Sequence, residues 1–338
     1  MTNDAYADVD RFRFHTLHPN LRFGTASDRY AGWIGQIYPE DHYADRVSSR
    51  KRKLGGRSFE ERTVPVESTA DFFEHFGVVE LDFTFYRPLL DPNGDPSSNL
   101  FVLERYAEHA PPHARFLLKA PQAYSARVLR RGGQFVDNPD YLDADAYRRR
   151  FLEPASDLLD DRLVGVLFEQ EYARVSESPS PDAFVAELDA FFAADGDAQP
   201  HLEIRSPHLL TDPYFAWLHD RGLGHVFSHW TWLPSIKEQW FRAGQRFSAA
   251  NGEAVLRLLT PRKMRYADAY AEAYPFDRPV PSLSETPGAR TMIEESVALA
   301  VKAIEAGATL NVIANNRAYG NAPALNQAIA FRYLEHQR

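Results

Sequence analysis

Short runs rich in branched and aromatic residues recur eight times along this chain, at 21–27, 78–85, 114–121, 163–170, 201–206, 225–230, 254–261 and 309–316. Segments with helical spacing of apolar residues alternate with them, most clearly at 68–76, 99–110, 144–159, 182–193, 213–221, 235–247, 292–306 and 322–334. A strand that is followed by a helix and then another strand pairs in parallel with its neighbour, because the crossover returns the chain to the same end of the sheet. Eight such units predict closure into a (β/α)8 barrel of the TIM type. A length of 338 residues suits one barrel with insertions. The reading is therefore a single domain over 1–338, with the barrel proper at 20–335.

Local chemistry supports the boundaries. Ser180-Pro181-Asp182 is a helix start, and Gly307 stands where a glycine ends a helix before the eighth strand. Two segments fall outside the repeat. In the insertion at 41–66, Arg46, Arg50, Lys51, Arg52, Lys53, Arg57 and Arg62 surround Gly55-Gly56, with few apolar residues. It is expected to be a basic surface loop that little holds to the barrel, and the segment 275–289, rich in proline and serine, another loop. Gly132-Gly133 and Gly55-Gly56 are expected turns.

Composition narrows the chemistry. The chain has no cysteine, which excludes disulfides, thiolate metal sites and cysteine nucleophiles. Residues 1–10 hold no apolar run of the kind a signal peptide needs, and no stretch reaches the roughly 18 apolar residues of a membrane helix. A cytoplasmic protein with no membrane partner is the expectation. A net charge of −9 argues against the whole surface gripping nucleic acid. No glycine-rich dinucleotide motif, P-loop or nucleophile elbow is present.

In barrels of this type chemistry sits at the C-terminal strand ends. Strand two reads Val79-Glu80-Leu81-Asp82-Phe83-Thr84-Phe85-Tyr86, with polar residues on one parity. Alternate residues face the interior, so Glu80, Asp82, Thr84 and Tyr86 should point inward. Glu80, two residues below Asp82, is best read as a deep structural carboxylate paired with an arginine. The other strand ends bring Asp28 and Arg29, Lys119, Glu169 and Glu171, Glu203 and Arg205, His229, Arg257, and Asn315 with Asn316.

Asp82, Glu169, Glu203 and His229 are the candidate catalytic residues, as carboxylates and an imidazole suited to acid/base work. Together they could also hold a magnesium- or manganese-like ion, but Arg205 and Arg257 would crowd it, so no metal is assigned. Lys119, Arg205 and Arg257 are candidate anion ligands, arginine supplying a bidentate fork. Tyr86, Trp230, Asn315 and Asn316 complete the candidate ligand-binding set: Trp230, in the aromatic run at 228–234, can stack on a flat ligand, and the two amides can bind a polar one. For each there is a bland alternative. Buried cations can exist only to neutralise buried acids, aromatic residues in loops often only pack, and a run of charge is usually a solvated loop. If the ring of charges is purely structural, loss of Arg205 should mainly destabilise by stranding a buried acid; if it is a ligand site, Arg257 is the expected spare cation.

Several motifs in order resemble the YecE-like family, also called domain-of-unknown-function family seventy-two. They are Gly24-Thr25 with Trp33, Gly35 and Tyr38-Pro39; Val79-Glu80 with Thr84-Phe85-Tyr86-Arg87; and Phe116 with Lys119-Ala120-Pro121. Further along come Glu203 with Arg205, Arg257-Leu258, and Asn315-Asn316 with Gly320, Ala322-Pro323 and Asn326. The resemblance covers nearly all of the chain and implies a TIM-type barrel, with no activity attached. The chain departs from the family pattern at Asp82, Ala126, Glu169-Gln170-Glu171-Tyr172 and Leu259, which implies a more acidic, histidine-poor variant of the site. Three functions stay open. One is a hydrolase- or isomerase-type enzyme acting on a small polar or anionic ligand such as a sugar or sugar phosphate. The second is a barrel that binds or processes nucleic acid through residues 46–62, and the third is a ligand-binding barrel without turnover.

Overall fold

A computed structural model describes residues 3–193 and 199–338. Eight parallel strands close into a barrel: β1 (Leu21–Ala26), β2 (Val78–Leu81), β3 (Arg115–Lys119), β4 (Leu163–Gln170), β5 (Pro200–Ile204), β6 (Gly224–His229), β7 (Glu253–Leu258) and β8 (Thr309–Ala314). The order round the ring is sequential, and β8 closes it by pairing with β1, Leu21 opposite Leu310 through Thr25 opposite Ala314. Both faces of most strand residues are covered, so the strands are largely apolar, with the buried charges Glu80, Lys119, Glu169, Glu203 and Arg257 set toward their C-terminal halves and Arg22 paired with Glu253 near the opposite end.

The two faces carry different material. Outward side chains such as Phe116, Phe168, Phe227 and Leu256 join the large core between strands and helices. Inward, Ala26, Val78, Leu117, Val164, Leu167, Val226, Val255 and Ile313 form a small apolar layer. His201 also lies inside, in space left by two glycines: a Cβ on Gly224 would come within 2.0 Å of its ring, and one on Gly165 within 2.6 Å.

Helix ends follow their local chemistry. Thr286 caps the helix Pro287–Glu305 by accepting the Ala289 N–H, and Asn321 caps Ala322–His336 through the Ala324 N–H. Gly307 lies just past the first of these at a φ of 71°, as its sequence position predicts. The Thr286 cap begins that helix inside the segment expected to be a loop, and Pro281–Ser284 adds another helical turn there.

Two larger differences bear on function. Strand two ends at Leu81 and not at residue 85. Thr84 donates its hydroxyl to the carbonyls of Leu81 and Lys119, folding residues 83–85 into a helical turn, so inward alternation stops after Glu80. The basic insertion is a β-hairpin, Ser48–Leu54 paired antiparallel with Arg57–Thr63 around Gly55-Gly56. Two of its basic residues face acids across the strands, Arg50 opposite Glu61 and Lys51 opposite Glu60. Phe59 anchors it by packing on Tyr270 and Tyr274 at ring distances of 4.9 and 5.3 Å. The expectation of a loop with little to hold it fails because Phe59 is buried among tyrosines whose hydroxyls also bond the hairpin, Tyr270 to Glu61 at 3.2 Å and Tyr274 to the Glu60 carbonyl at 3.1 Å.

Candidate functional site

A cavity of about 1040 Å³ opens at the C-terminal mouth of the barrel. Its floor comes from strand ends, including Asp82, Lys119, Glu169, Arg205 and Arg257, and the hairpin contributes Arg50, Arg52, Glu60 and Glu61 to its wall. Tyr86, Trp230 and Asn315 also line it, as do Tyr266 and Arg317.

Beneath the cavity the interior charges form one network. Arg257 is buried and bidentate on Glu80, Nε donating at 2.8 Å and Nη2 at 2.6 Å, while Nη1 donates to Glu203 and, at 3.5 Å, to Glu169. Glu203 also accepts from the Ser228 hydroxyl. Lys119 pairs with Glu169 at 2.8 Å and lies 4.0 Å from the centre of the Phe85 ring. Arg205 reaches Glu169 at 2.7 Å and Glu203 at 3.3 Å, both through Nη2. Three acids thus face three cations. Burial by itself would raise the Glu169 carboxyl, but Arg205, Lys119 and Arg257 outweigh it and hold Glu169 well below the usual carboxylate range. Burial works against the Arg257 charge as well, and Glu203, Glu80 and Glu169 more than offset it.

The three cations differ in what they have left to offer. All three guanidinium nitrogens of Arg257 are engaged. Arg205 uses one, and its Nε is buried without a partner among the described residues. Its guanidinium lies 5.0 Å from the centre of the Trp230 ring. The expectation that Arg257 is the spare cation fails: Arg257 is spent on acids, and Arg205 has the donors to spare. Arg257 sits deep enough on β7 to reach acids on β2, β4 and β5, whereas Arg205 lies just past β5, at the rim.

Not every candidate reaches the cavity. Glu203 lies below it, inside the network. His229 points the other way. On β6 Val226 and Ser228 face inward, so His229 faces outward, where Nδ1 contacts the Thr260 carbonyl at 2.9 Å and the ring borders a separate pocket with Arg262 and Thr286. Burial pushes its pKa down to about 4, so it is neutral there. Asn316 is also turned away, its amide oxygen accepting from the Ala322 N–H at 2.8 Å to hold the start of the last helix. Asn315 lines the cavity, with its oxygen accepting from the Arg317 N–H at 3.1 Å.

Other residues stand in the cavity wall without having been chosen as candidates. Arg317 lies 4.4 Å from the Tyr266 ring centre, and its Nε is a second buried guanidinium donor without a partner among the described residues. Asp28 is buried beside Tyr106, whose hydroxyl donates to it at 2.7 Å. Its strand-end position was the available signal. Asp82, nearby, accepts from the Ser27 hydroxyl at 2.8 Å. Burial, then the charge of Glu169, raises the pKa of Glu171 above its ordinary value. Among the described residues no three His, Asp or Glu side chains converge as a metal site would require, and no helix is long and apolar enough to cross a membrane.

A closed parallel barrel with a charged, hairpin-walled mouth defines a TIM-type barrel protein. Over residues 22–337 the sequence matches the family described as protein of unknown function DUF72, which is the YecE-like family, and the chain belongs to it. Among solved structures, a DUF72 family protein from Thermotoga maritima has a TM-score of 0.53 at 17% identity, with 93% of this chain and 99% of that one covered. A DUF72 family protein from Enterococcus faecalis gives 0.53 at 15% identity, covering 93% and 95%. Both support the fold. No curated protein matches the sequence.

Proposed function

We propose that this barrel is an enzyme that binds a small anionic ligand, a sugar or phosphate-bearing molecule, at its mouth and works by carboxylate acid/base chemistry of a hydrolase or isomerase type. The observation that carries the reading is Arg205. A buried guanidinium donor left without a partner is costly in a finished structural network. A ligand oxygen would satisfy it, and Trp230 holds the fork flat for that contact. Lys119 adds charge from the adjacent floor. The cavity volume is at the upper end of the range usual for small-molecule sites, roughly 300–1,000 Å³. In this reading Asp82 is the group placed for proton transfer, while Glu169, held ionised by three cations, and Glu203, below the cavity, orient Arg205. Tyr86, 67% exposed, and Asn315 would contact the body of the ligand.

The test is thermal stability in the presence of phosphate, sulfate and sugar phosphates. A ligand that binds only the folded state raises the melting temperature by mass action. A clear rise at millimolar anion, lost in Arg205→Gln, is expected; no rise with any of them overturns the anion site. Turnover screening of the anion that binds then separates an enzyme from a binding protein without activity. The nucleic-acid reading is less well supported, because Arg50 and Arg52 both pair with Glu61 and are partly neutralised. Binding through that hairpin would weaken steeply with salt.

A further inference from the structure

Across the mouth from Arg205 lies a second group with an unmet hydrogen-bonding requirement. Eight strands in sequential order put β1 and β5 on opposite sides of the ring. Arg205 follows β5 and Asp28 follows β1. Between β1 and Asp28, Ser27 adopts a φ of 63°, a conformation that disfavours a side chain. Three hydrogen bonds hold it there: its N–H donates to the Glu80 carbonyl at 2.9 Å, its hydroxyl to Asp82, and its carbonyl accepts from the Thr25 hydroxyl at 2.7 Å. The backbone of Asp28 is fixed in turn by the Tyr38 hydroxyl, which donates to its carbonyl at 2.8 Å.

This strained and well-braced turn sets Asp28 in the cavity wall at 2% exposure. One carboxyl oxygen takes the Tyr106 hydroxyl. The other, Oδ2, is buried and has no partner among the described residues. The groups acting on the carboxyl are Arg29, Tyr106 and the Asp28 backbone N–H, which favour its charge, and Asp82, which opposes it. Arg29 lies over the Tyr106 ring, 6.0 Å from its centre. An ionised carboxylate with one oxygen buried and undonated pays the desolvation penalty without compensation. A carboxylic acid in the same place carries its own donor and needs only an acceptor.

We infer that Asp28 presents a carboxylic-acid proton to an oxygen of the bound ligand, on the side of the mouth opposite Arg205. The inference rests on the ligand reading above and extends it: the ligand carries an anionic group at one end and a neutral oxygen acceptor, such as a sugar hydroxyl, ring or carbonyl oxygen, at the other. When Asp28 acts as an acid, its proton passes to that oxygen, and Tyr106 and Arg29 stabilise the carboxylate left behind. Burial, which comes first among the influences on Asp28, raises its pKa above the ordinary aspartate value, in agreement with this role.

The experiment is carbon-13 NMR of the aspartate carboxyl groups in the full chain across a pH titration. The Asp28 signal is identified by its loss in Asp28→Asn and, independently of whether that variant folds, by its displacement in Tyr106→Phe. Asp28 is expected to titrate above the other aspartates, and to move higher still in Tyr106→Phe, where the charged form loses its side-chain donor. A midpoint in the ordinary aspartate range, or one that Tyr106→Phe leaves in place, overturns the inference. A parallel thermal-shift series compares inorganic phosphate with glucose 6-phosphate. Asp28→Ala, which removes the donor, should keep the phosphate response and lose most of the additional response to the sugar phosphate, whereas Asp28→Asn, whose amide N–H stands in for the acid O–H, should keep much of it; an Asp28→Ala variant that keeps both responses also overturns the inference. If neither anion stabilises the wild type, the anion site falls, while the NMR titration still decides Asp28.

Discussion

Arg257 and Arg205 share a network and two acids, yet they occupy different physical situations. Arg257 has an acid for every nitrogen and lies with Glu80 and Glu203 almost out of reach of water. Arg205 is 18% exposed at its side chain, stacks on Trp230 and keeps a donor unused. The first arrangement is closed on itself, and the second is open on one side. A charge network inside a barrel can therefore serve as scaffold at one level and as ligand site one layer higher, and the number of donors already spent tells the levels apart.

The largest expected effect tests the closed layer. Arg257→Ala leaves Glu80 buried without a cation and Glu203 with only the Arg205 contact at 3.3 Å, and should destabilise the fold by about 3–5 kcal/mol in denaturant unfolding. A loss under ~1 kcal/mol would show that water reaches these acids and that the two layers do not differ. Arg205→Gln should cost far less, about 1 kcal/mol, because Glu169 keeps Lys119 at 2.8 Å and Glu203 keeps Arg257, while it removes the thermal response to phosphate. Equal destabilisation by the two variants would erase the contrast.

The pH dependence gives a smaller effect with a definite sign. Glu169 is held below its unfolded pKa by the cations around it, so its contribution to stability is fully present above the unfolded value, near 4.3, and is lost as pH falls toward the folded one. Melting temperature measured down from pH 6 should fall through the region below about pH 4.3. That fall should be shallower in Glu169→Gln, which has no proton to take up. An identical acid limb in both proteins would remove Glu169 from the account. The smallest effect is the expected absence of one. His229→Gln lies outside the cavity and should leave the phosphate response unchanged, whatever its cost to stability; a lost response would return His229 to the site.

The hairpin and β6 show where reading along the chain stops being sufficient. In β2 the alternation of Val79, Glu80 and Leu81 separates the faces cleanly, and Glu80 is buried against Arg257 as its parity predicts. In β6 both parities mix apolar and polar residues, Val226 with Ser228 on one and Phe227 with His225 and His229 on the other, so nothing local shows which face is inside. In the hairpin, Phe59 is one of two apolar residues, with Leu54, in a charged run. Its significance depends on Tyr270 and Tyr274, more than two hundred residues away.

The sequence by itself determined the alternation of strands and helices, the closed parallel barrel, the family, and the gathering of ionisable residues at the strand ends. These follow from short-range periodicity, which local sterics and burial impose on every unit in the same way. Only the tertiary structure decided that Arg257 is spent and Arg205 is not, that His229 faces away, that Asp28 keeps an unpaired oxygen, and that the basic insertion walls the mouth. Each of these depends on which partners from distant strands lie within hydrogen-bond reach, and that distance is set when the ring closes.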